Sequence, residues 1–184
     1  SRADVLGTQA SRAAIAAEMA ARSEAATGPD EWRDALLELR RRELLRIAAR
    51  DICLGTPTRR IMEEISDLAD GIIDGAFRRV RRDSGRAELR FCVLAFGKLG
   101  GRELNYSSDI DLLGLTDSAG QDSAEVVDGT RLMEGLRADL SAHTTAGYAY
   151  RVDLRLRIVH DYTVDHLPEG GRALAQLARR LGYY

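Results

Sequence analysis

The sequence predicts an α+β or α/β domain in which a helical arm precedes a core of strands and helices. Two observations support this fold class. Over residues 1–84, apolar side chains recur at helical spacings, which is typical of amphipathic helices. From Ser84 and Gly85 onward, short apolar runs bounded by glycine indicate buried strands. We therefore divide the chain into a helical region (1–84), a core (85–157) and a helical tail (158–184).

The helical region should contain three helices. The first covers residues 11–23 and the second covers 29–55, where Gly55 permits the left-handed conformation that ends a helix. Thr56 and Pro57 predict the start of the third, because a threonine hydroxyl can cap a helix and proline suits its first position. The arginine-rich run 78–82 at its end is interpreted as a solvated face that complements the helix dipole. A phosphate or protein contact is the alternative.

Five elements are predicted beyond this arm. They are strands at 89–96, 108–116 and 148–156, and helices at 124–143 and 171–181. This order alternates strands with helices, which is the basis for predicting a sheet flanked by helices.

The composition is that of a soluble globular protein. Of 184 residues, 45% are hydrophobic and 30% charged, and the net charge is −2. This balance gives no general attraction to nucleic acid or membranes, and no apolar run approaches the roughly 20 residues of a membrane span. Cys53 and Cys92 lack metal-ligand spacing and are predicted to be buried free thiols in a reducing compartment. We expect a cytoplasmic protein and, since the sequence starts without methionine, a piece of a longer one.

Asp109 and Asp111 are separated by one residue in the second predicted strand. Side chains alternate faces along a strand, so both carboxylates should lie on one face, about 6–7 Å apart along the strand. Ile110 and Leu112 should face the core. Two neighbouring carboxylates repel each other unless a positive group lies between them, and magnesium or manganese prefers such oxygen ligands. The alternative is a polar stripe on an exposed strand.

The third predicted strand supplies another carboxylate. Its apolar residues share one face, while the other face carries Arg151, Asp153, Arg155 and Arg157. Asp153 is therefore a candidate third ligand, and the arginine side chains suit phosphate oxygens. The alternative is a solvated strand whose arginines neutralise its aspartate.

A glycine turn precedes the carboxylates. Gly97, Gly100 and Gly101 follow the first strand, and glycine lets backbone N–H groups approach an anion. Glu103 and Leu104 are predicted to begin a short helix whose N-terminus faces a phosphate. A tight turn without a ligand would also explain the glycines. Together, the turn, the carboxylates and the arginines predict a site for nucleotide phosphates and one or two metal ions, which would assist displacement at phosphorus.

The stretch GKLGGRELNYSSDIDLL resembles the signature of the bifunctional glutamine synthetase adenylyltransferase/adenylyl-removing enzyme family. That family belongs to the DNA polymerase β-like nucleotidyltransferase superfamily. RRELLRIAARDICLGTP and EISDLADGIIDGAF resemble its helical lead-in, and GYAYRVDLRLR resembles its third-carboxylate strand. The likeness extends over most of the chain from Trp32 and implies an α+β nucleotidyltransferase fold with a small mixed sheet and flanking helices.

The resemblance implies roles for individual residues. Asp109, Asp111 and Asp153 match the catalytic, metal-binding carboxylates, with Mg²⁺ or Mn²⁺ as the cofactor. Lys98, Ser107 and Ser108 join the turn glycines and the arginines as candidate phosphate or nucleotide contacts. The full set of these contacts is Gly97, Lys98, Gly100, Gly101, Ser107, Ser108, Arg151 and Arg155.

The family enzyme has two related halves. One transfers AMP from ATP to a tyrosine of glutamine synthetase, and the other removes it by phosphorolysis, releasing ADP. ELNYSSDIDL with YRVDLRLR resembles the adenylyl-removing half; the adenylylating half more often has S-D-L-D, with glutamate in place of Arg151. The implied partners are glutamine synthetase, ATP or ADP and phosphate, with a PII-type signal protein as a further candidate.

The likeness is interrupted after Arg157. There the family continues into a proline-glycine loop, whereas this chain continues with IVHDYTVDHLPEGG, which resembles a much later helical segment. Either a block is absent or two segments are joined. Two alternatives to AMP removal therefore stay open: ATP-dependent adenylylation, and a truncated module that binds nucleotide or protein without catalysis.

Overall fold

A computed structural model describes residues 10–86, 88–117, 124–144 and 147–159. In chain order its elements are α1 (Arg12–Ala25), α2 (Pro29–Leu54), α3 (Thr58–Asp83), β1 (Phe91–Phe96), the short helix α4 (Gly97–Gly100), β2 (Ile110–Asp117), α5 (Ala124–Ser141) and β3 (Val152–Val159). The predicted helical region is thus confirmed as three helices. The tail falls almost wholly outside the described residues, and the division of the chain at residue 84 stays a prediction.

Both ends of α2 follow local sequence signals, whereas the start of α3 does not. Pro29 opens α2, and Gly55 ends it with a left-handed φ of 58°. The prediction that Thr56 caps α3 is wrong: its hydroxyl donates to the carbonyl of Arg50 at 3.1 Å, and Pro57 occupies the cap position. Thr56 therefore closes the end of α2 instead of the start of α3.

The sheet is mixed, with strand order β1-β2-β3. Strand β1 is antiparallel to β2, and β2 is parallel to β3. This arrangement of a small mixed sheet with flanking helices confirms the predicted α+β class.

The strands begin later than the sequence predicts. The carbonyl of Leu89 accepts a hydrogen bond from Arg81 at 2.7 Å, and β1 starts only at Phe91. The backbone N–H of Tyr150 donates to the carbonyl of Leu140 in α5, so β3 starts at Val152. Strand β2 likewise starts at Ile110, two residues late, and α5 ends at Ser141. At the predicted starts of β1 and β3, these backbone groups therefore bond to the preceding helix instead of to the ladder.

Within the described part of the chain, the helices and one face of the sheet share the larger of two hydrophobic clusters. Its fully buried members include Trp32 and Leu36 of α2, Ile72 of α3, Ile110 of β2 and Leu136 of α5. The indole N–H of Trp32 donates to Asp139 of α5 at 2.9 Å, and burial raises the pKa of that carboxyl. The sheet therefore rests directly on the helical region, which places the helices next to the strands that carry the candidate carboxylates.

A row of alternating charges joins α1, α2 and α3, the three helices of the helical region. In order of contact it comprises Glu38, Arg22, Glu18, Arg42, Glu43, Arg46, Glu64 and Arg50. Arg42 of α2 reaches Glu18 of α1 at 2.7 Å, and this hydrogen bond lowers the pKa of Glu18. The Glu64 side chain in α3 is 1% exposed and accepts from Arg50 at 3.0 Å. We call these residues the helical charge network.

The cysteine prediction is half wrong. Cys53 is exposed near the end of α2, while Cys92 in β1 is partly buried, and burial raises the pKa of its thiol to about 11. Both are free thiols. Among the described helices, none has the length and apolar character needed to cross a membrane.

Candidate functional site

Two of the predicted carboxylates lie side by side in the sheet. Asp111 of β2 is the register partner of Asp153 of β3. Paired residues of neighbouring strands have their Cα atoms about 4.8 Å apart and their side chains on the same face. Ile110 and Leu112 point to the opposite face, where they are 0% and 2% exposed in the core. The prediction that Ile110 and Leu112 face the core is confirmed.

The third carboxylate lies at the same end of the sheet. Asp109 comes directly before β2, and its Oδ1 is 2.6 Å from Nε of Arg151, which comes directly before β3. Both side chains are exposed, 54% for Asp109 and 64% for Arg151. The N–H of Ile110 donates to the carbonyl of Arg151 at 3.0 Å, so the ladder starts at this point. We call Asp109, Asp111, Asp153 and Arg151 the carboxylate edge.

The glycine turn contacts this edge through Gly97. This residue follows β1 directly and has a φ of +57°, a conformation that strongly favours glycine. A Cβ atom placed on it would overlap Oδ2 of Asp111, so the carboxylate lies against the bare backbone of the turn. Gly100 approaches the carbonyl of Ala95 in the same way. The two glycines therefore serve close backbone and side-chain packing, whatever else they bind.

The predicted helix beginning at Glu103 and Leu104 is wrong. The short helix is α4, which consists of the turn itself. The N–H groups just after it close the turn: Gly101 donates to the carbonyl of Gly97 at 3.0 Å, and Glu103 donates to the carbonyl of Lys98 at 2.7 Å. Glu103 and Leu104 lie in the following loop because the backbone has already turned at Arg102, which has a φ of 57°.

Ser107 and Ser108 belong to a turn organised by Asn105. The side-chain oxygen of Asn105 accepts from the Ser107 N–H at 3.2 Å and from the Ser108 hydroxyl at 2.8 Å. The Ser108 hydroxyl also accepts from the Asn105 N–H at 3.1 Å. This arrangement leads the chain into Asp109. The lysine candidate, Lys98, is exposed on α4, and the side chain of Arg155 lies outside the described residues.

The sequence analysis assigned no role to the residues that attach this loop to the helices. Arg102 forms an ion pair with Asp67 of α3 at 2.8 Å, and the Tyr106 hydroxyl donates to Asp51 of α2 at 3.1 Å. Burial, followed by this carboxylate, raises the pKa of Tyr106 to about 12. Tyr106 lies within the motif ELNYSSDIDL, but nothing local to that motif indicates Asp51 as its partner.

The chemistry of the edge suits a hard divalent cation. Three carboxylates and an exposed lysine lie near one end of the sheet, and carboxylate oxygens are the preferred ligands of Mg²⁺ and Mn²⁺. Within the described ranges, however, no three His, Cys, Asp or Glu side chains already converge as a metal site. The Asp109 carboxylate instead forms an ion pair with Arg151.

Comparison with known proteins identifies the family. The family model for glutamate-ammonia ligase adenylyltransferase matches residues 2–161. The chain belongs to this family. The predicted resemblance is thereby confirmed, and the match includes the carboxylate edge, the glycine turn and all three long helices.

Several relatives of this family are identical to the chain at more than a third of the aligned positions. The bifunctional glutamine synthetase adenylyltransferase/adenylyl-removing enzyme of Cutibacterium acnes is 38% identical over 138 residues, covering 71% of this chain and 14% of the relative. The enzymes of the same name from Thioalkalivibrio sulfidiphilus and Chromobacterium violaceum are 37% and 35% identical, covering 77% and 78% of this chain. They are covered over 17% and 16% of their own length, so the chain spans about one sixth of these relatives.

Proposed function

We propose that this chain carries a metal-dependent nucleotidyl-transfer site that removes AMP from an adenylylated tyrosine of glutamine synthetase. The observation that supports the proposal most strongly is the register of the sheet, which pairs Asp111 with Asp153. Asp109 lies at the same end of the sheet. The family membership supplies the substrate class, because the relatives are named for adenylyl transfer to and removal from glutamine synthetase.

Asp109, Asp111 and Asp153 are the residues that would hold Mg²⁺ or Mn²⁺. The metal, when bound, neutralises charge that develops on the attacking and leaving oxygens during displacement at phosphorus. Gly97 keeps space for the Asp111 carboxylate. Arg151, Lys98 and the backbone amides at the start of the glycine turn would bind phosphate oxygens, arginine by two parallel hydrogen bonds.

The reaction is a displacement at the phosphorus of AMP-tyrosine. An oxygen of inorganic phosphate forms the new bond to that phosphorus, and the bond to the tyrosine oxygen breaks. The products are ADP and a tyrosinate, which takes a proton from solvent. Positioning and charge neutralisation are the main contributions that a protein makes to phosphoryl and nucleotidyl transfer.

Arg151 supports the removing direction over the forward one. Phosphorolysis needs a binding group for inorganic phosphate, and Arg151 is an exposed guanidinium beside the first carboxylate. The sequence motif also resembles the adenylyl-removing half of the family. The forward reaction, AMP transfer from ATP, is the second candidate.

The proposal is tested by measuring ADP release from adenylylated glutamine synthetase in the presence of phosphate and Mg²⁺. We expect Asp111→Asn to lower the rate at least about 100-fold, because an amide is a poor ligand for a hard cation. Asp74→Asn on α3, whose carboxylate pairs with Arg78, is the matched control and should retain the rate.

Three results would contradict the proposal. Full activity of Asp111→Asn would exclude the metal role. Incorporation of labelled AMP from ATP without any removal would assign the forward reaction. Absence of both reactions in a folded chain would leave a binding module.

A further inference from the structure

We propose that the helical region positions the carboxylate edge, with Ser66 of α3 and Asp51 of α2 as positioning residues for the loop over 102–106. This loop connects the glycine turn to Asp109, so its location sets where the first carboxylate enters the site. The inference rests on the proposed function for its catalytic readout. Its structural part stands on contacts between the loop and the helices.

Ser66 makes the central contact. It is 0% exposed, and its hydroxyl donates to the carbonyl of Met62, one turn earlier in α3, at 2.8 Å. The same oxygen accepts the backbone N–H of Leu104 at 3.3 Å. Leu104 is itself 1% exposed. A buried backbone N–H needs an acceptor, since leaving it without one is costly. The hydroxyl of Ser66 thus attaches the middle of the loop to a helix.

Two further contacts flank this one. Arg102 holds Asp67 at 2.8 Å, although its backbone has the unfavourable left-handed conformation. Tyr106 donates to Asp51 at 3.1 Å. Alternate loop residues therefore contact two different helices. Three independent contacts leave the loop little freedom to shift as a unit.

The restrained loop in turn determines the position of Asp109. After Tyr106, the hydrogen bonds between Asn105 and Ser108 shape the turn that leads into β2. On the far side, Ile110 pairs with the carbonyl of Arg151. Asp109 is therefore located from one side by the helices and from the other by β3. Asp111 and Asp153 depend on the ladder instead, so loosening the loop should displace one carboxylate and leave the other two in place.

The experiment compares Ser66→Ala with Ser23→Ala. Ser23 is also a buried helical serine, 5% exposed, and accepts a hydrogen bond from Arg82, but this contact lies within the helical region and does not involve the loop. Amide hydrogen exchange over 102–109 and the kcat and KM of ADP release are measured for both. For Ser66→Ala we expect exchange about tenfold faster and kcat about tenfold lower, with KM for adenylylated glutamine synthetase nearly unchanged. Ser23→Ala should change neither the loop exchange nor kcat.

A second variant covers the case in which Ser66→Ala fails to fold. Tyr106→Phe removes only the hydroxyl that contacts Asp51, at a side chain 40% exposed. It should speed amide exchange over 102–109 and lower kcat, each about threefold. Tyr148→Phe, at a side chain 38% exposed, is its control.

Wild-type exchange and kcat in both Ser66→Ala and Tyr106→Phe would overturn the inference. Faster exchange with unchanged kcat would also overturn it, because the contacts would then be structural only. If the wild-type chain protects the loop from exchange but releases no ADP, the proposed function fails while the attachment of the loop stands.

Discussion

Arginines and carboxylates meet in two regions of this protein, with different consequences. In the helical charge network, the Glu43 and Glu64 side chains are 8% and 1% exposed, and each accepts hydrogen bonds from two arginines. At the carboxylate edge, Asp109 and Arg151 are 54% and 64% exposed. Removing one partner of a buried ion pair strongly lowers the free energy of unfolding, because it leaves an uncompensated buried charge. An exposed pair contributes only about 0–1 kcal/mol to that free energy. The helical charge network is therefore suited to hold helices together. At the carboxylate edge, Asp109 and Arg151 can release each other and bind other groups at little cost.

The largest effect should follow from breaking the network at Glu64. Glu64→Ala leaves Arg46 and Arg50 partly buried without their shared carboxylate, and we expect a loss of about 3–5 kcal/mol in the free energy of unfolding. Urea denaturation monitored by circular dichroism measures it. The neighbouring Glu63 pairs with Arg59 and Arg60 at the surface, so Glu63→Ala should cost less than about 1 kcal/mol. Equal losses of stability in Glu64→Ala and Glu63→Ala would show that burial of the carboxylate does not determine the size of the effect.

An intermediate effect is expected at the glycine turn. Gly97→Ala places a side chain on a left-handed backbone and against Oδ2 of Asp111, so we expect about 1–2 kcal/mol of destabilisation and at least about tenfold slower ADP release. Gly85 has a similar φ of +67° but open space around it. Gly85→Ala should therefore share the backbone cost and keep the activity. A Gly97→Ala enzyme as active as the Gly85→Ala enzyme would refute the importance of this contact.

The smallest stability effect should come from Arg151. Arg151→Gln removes an exposed ion pair, so the free energy of unfolding should change by less than about 1 kcal/mol, while KM for phosphate rises about tenfold. Arg78→Gln, which breaks an exposed pair with Asp74, should match the stability change and leave KM unaltered. An unchanged KM for phosphate in Arg151→Gln would remove the main support for the phosphorolytic direction.

Sequence patterns predicted those parts of the fold that depend on neighbouring residues. The three long helices, the apolar face of β2 and the end of α2 at Gly55 all followed from spacing or from one residue's backbone preference. Two of the errors occurred where a carbonyl of the preceding helix accepts a hydrogen bond from the residue in question. Thr56 bonds back to Arg50, and the N–H of Tyr150 is taken by α5 before β3 can start.

The features of the candidate site also separate into those set by neighbouring residues and those set by packing between elements. The pattern of residues was sufficient to predict that Asp109 and Asp111 flank a core-facing Ile110, because the alternation of a strand is a local property. Three further features became visible only in the folded chain: Asp111 pairs with Asp153, Arg151 contacts Asp109, and the Ser66 hydroxyl accepts from the Leu104 N–H. Register and loop attachment depend on how separate elements pack together, and a one-residue change in register would place Asp153 on the other face while preserving every local pattern.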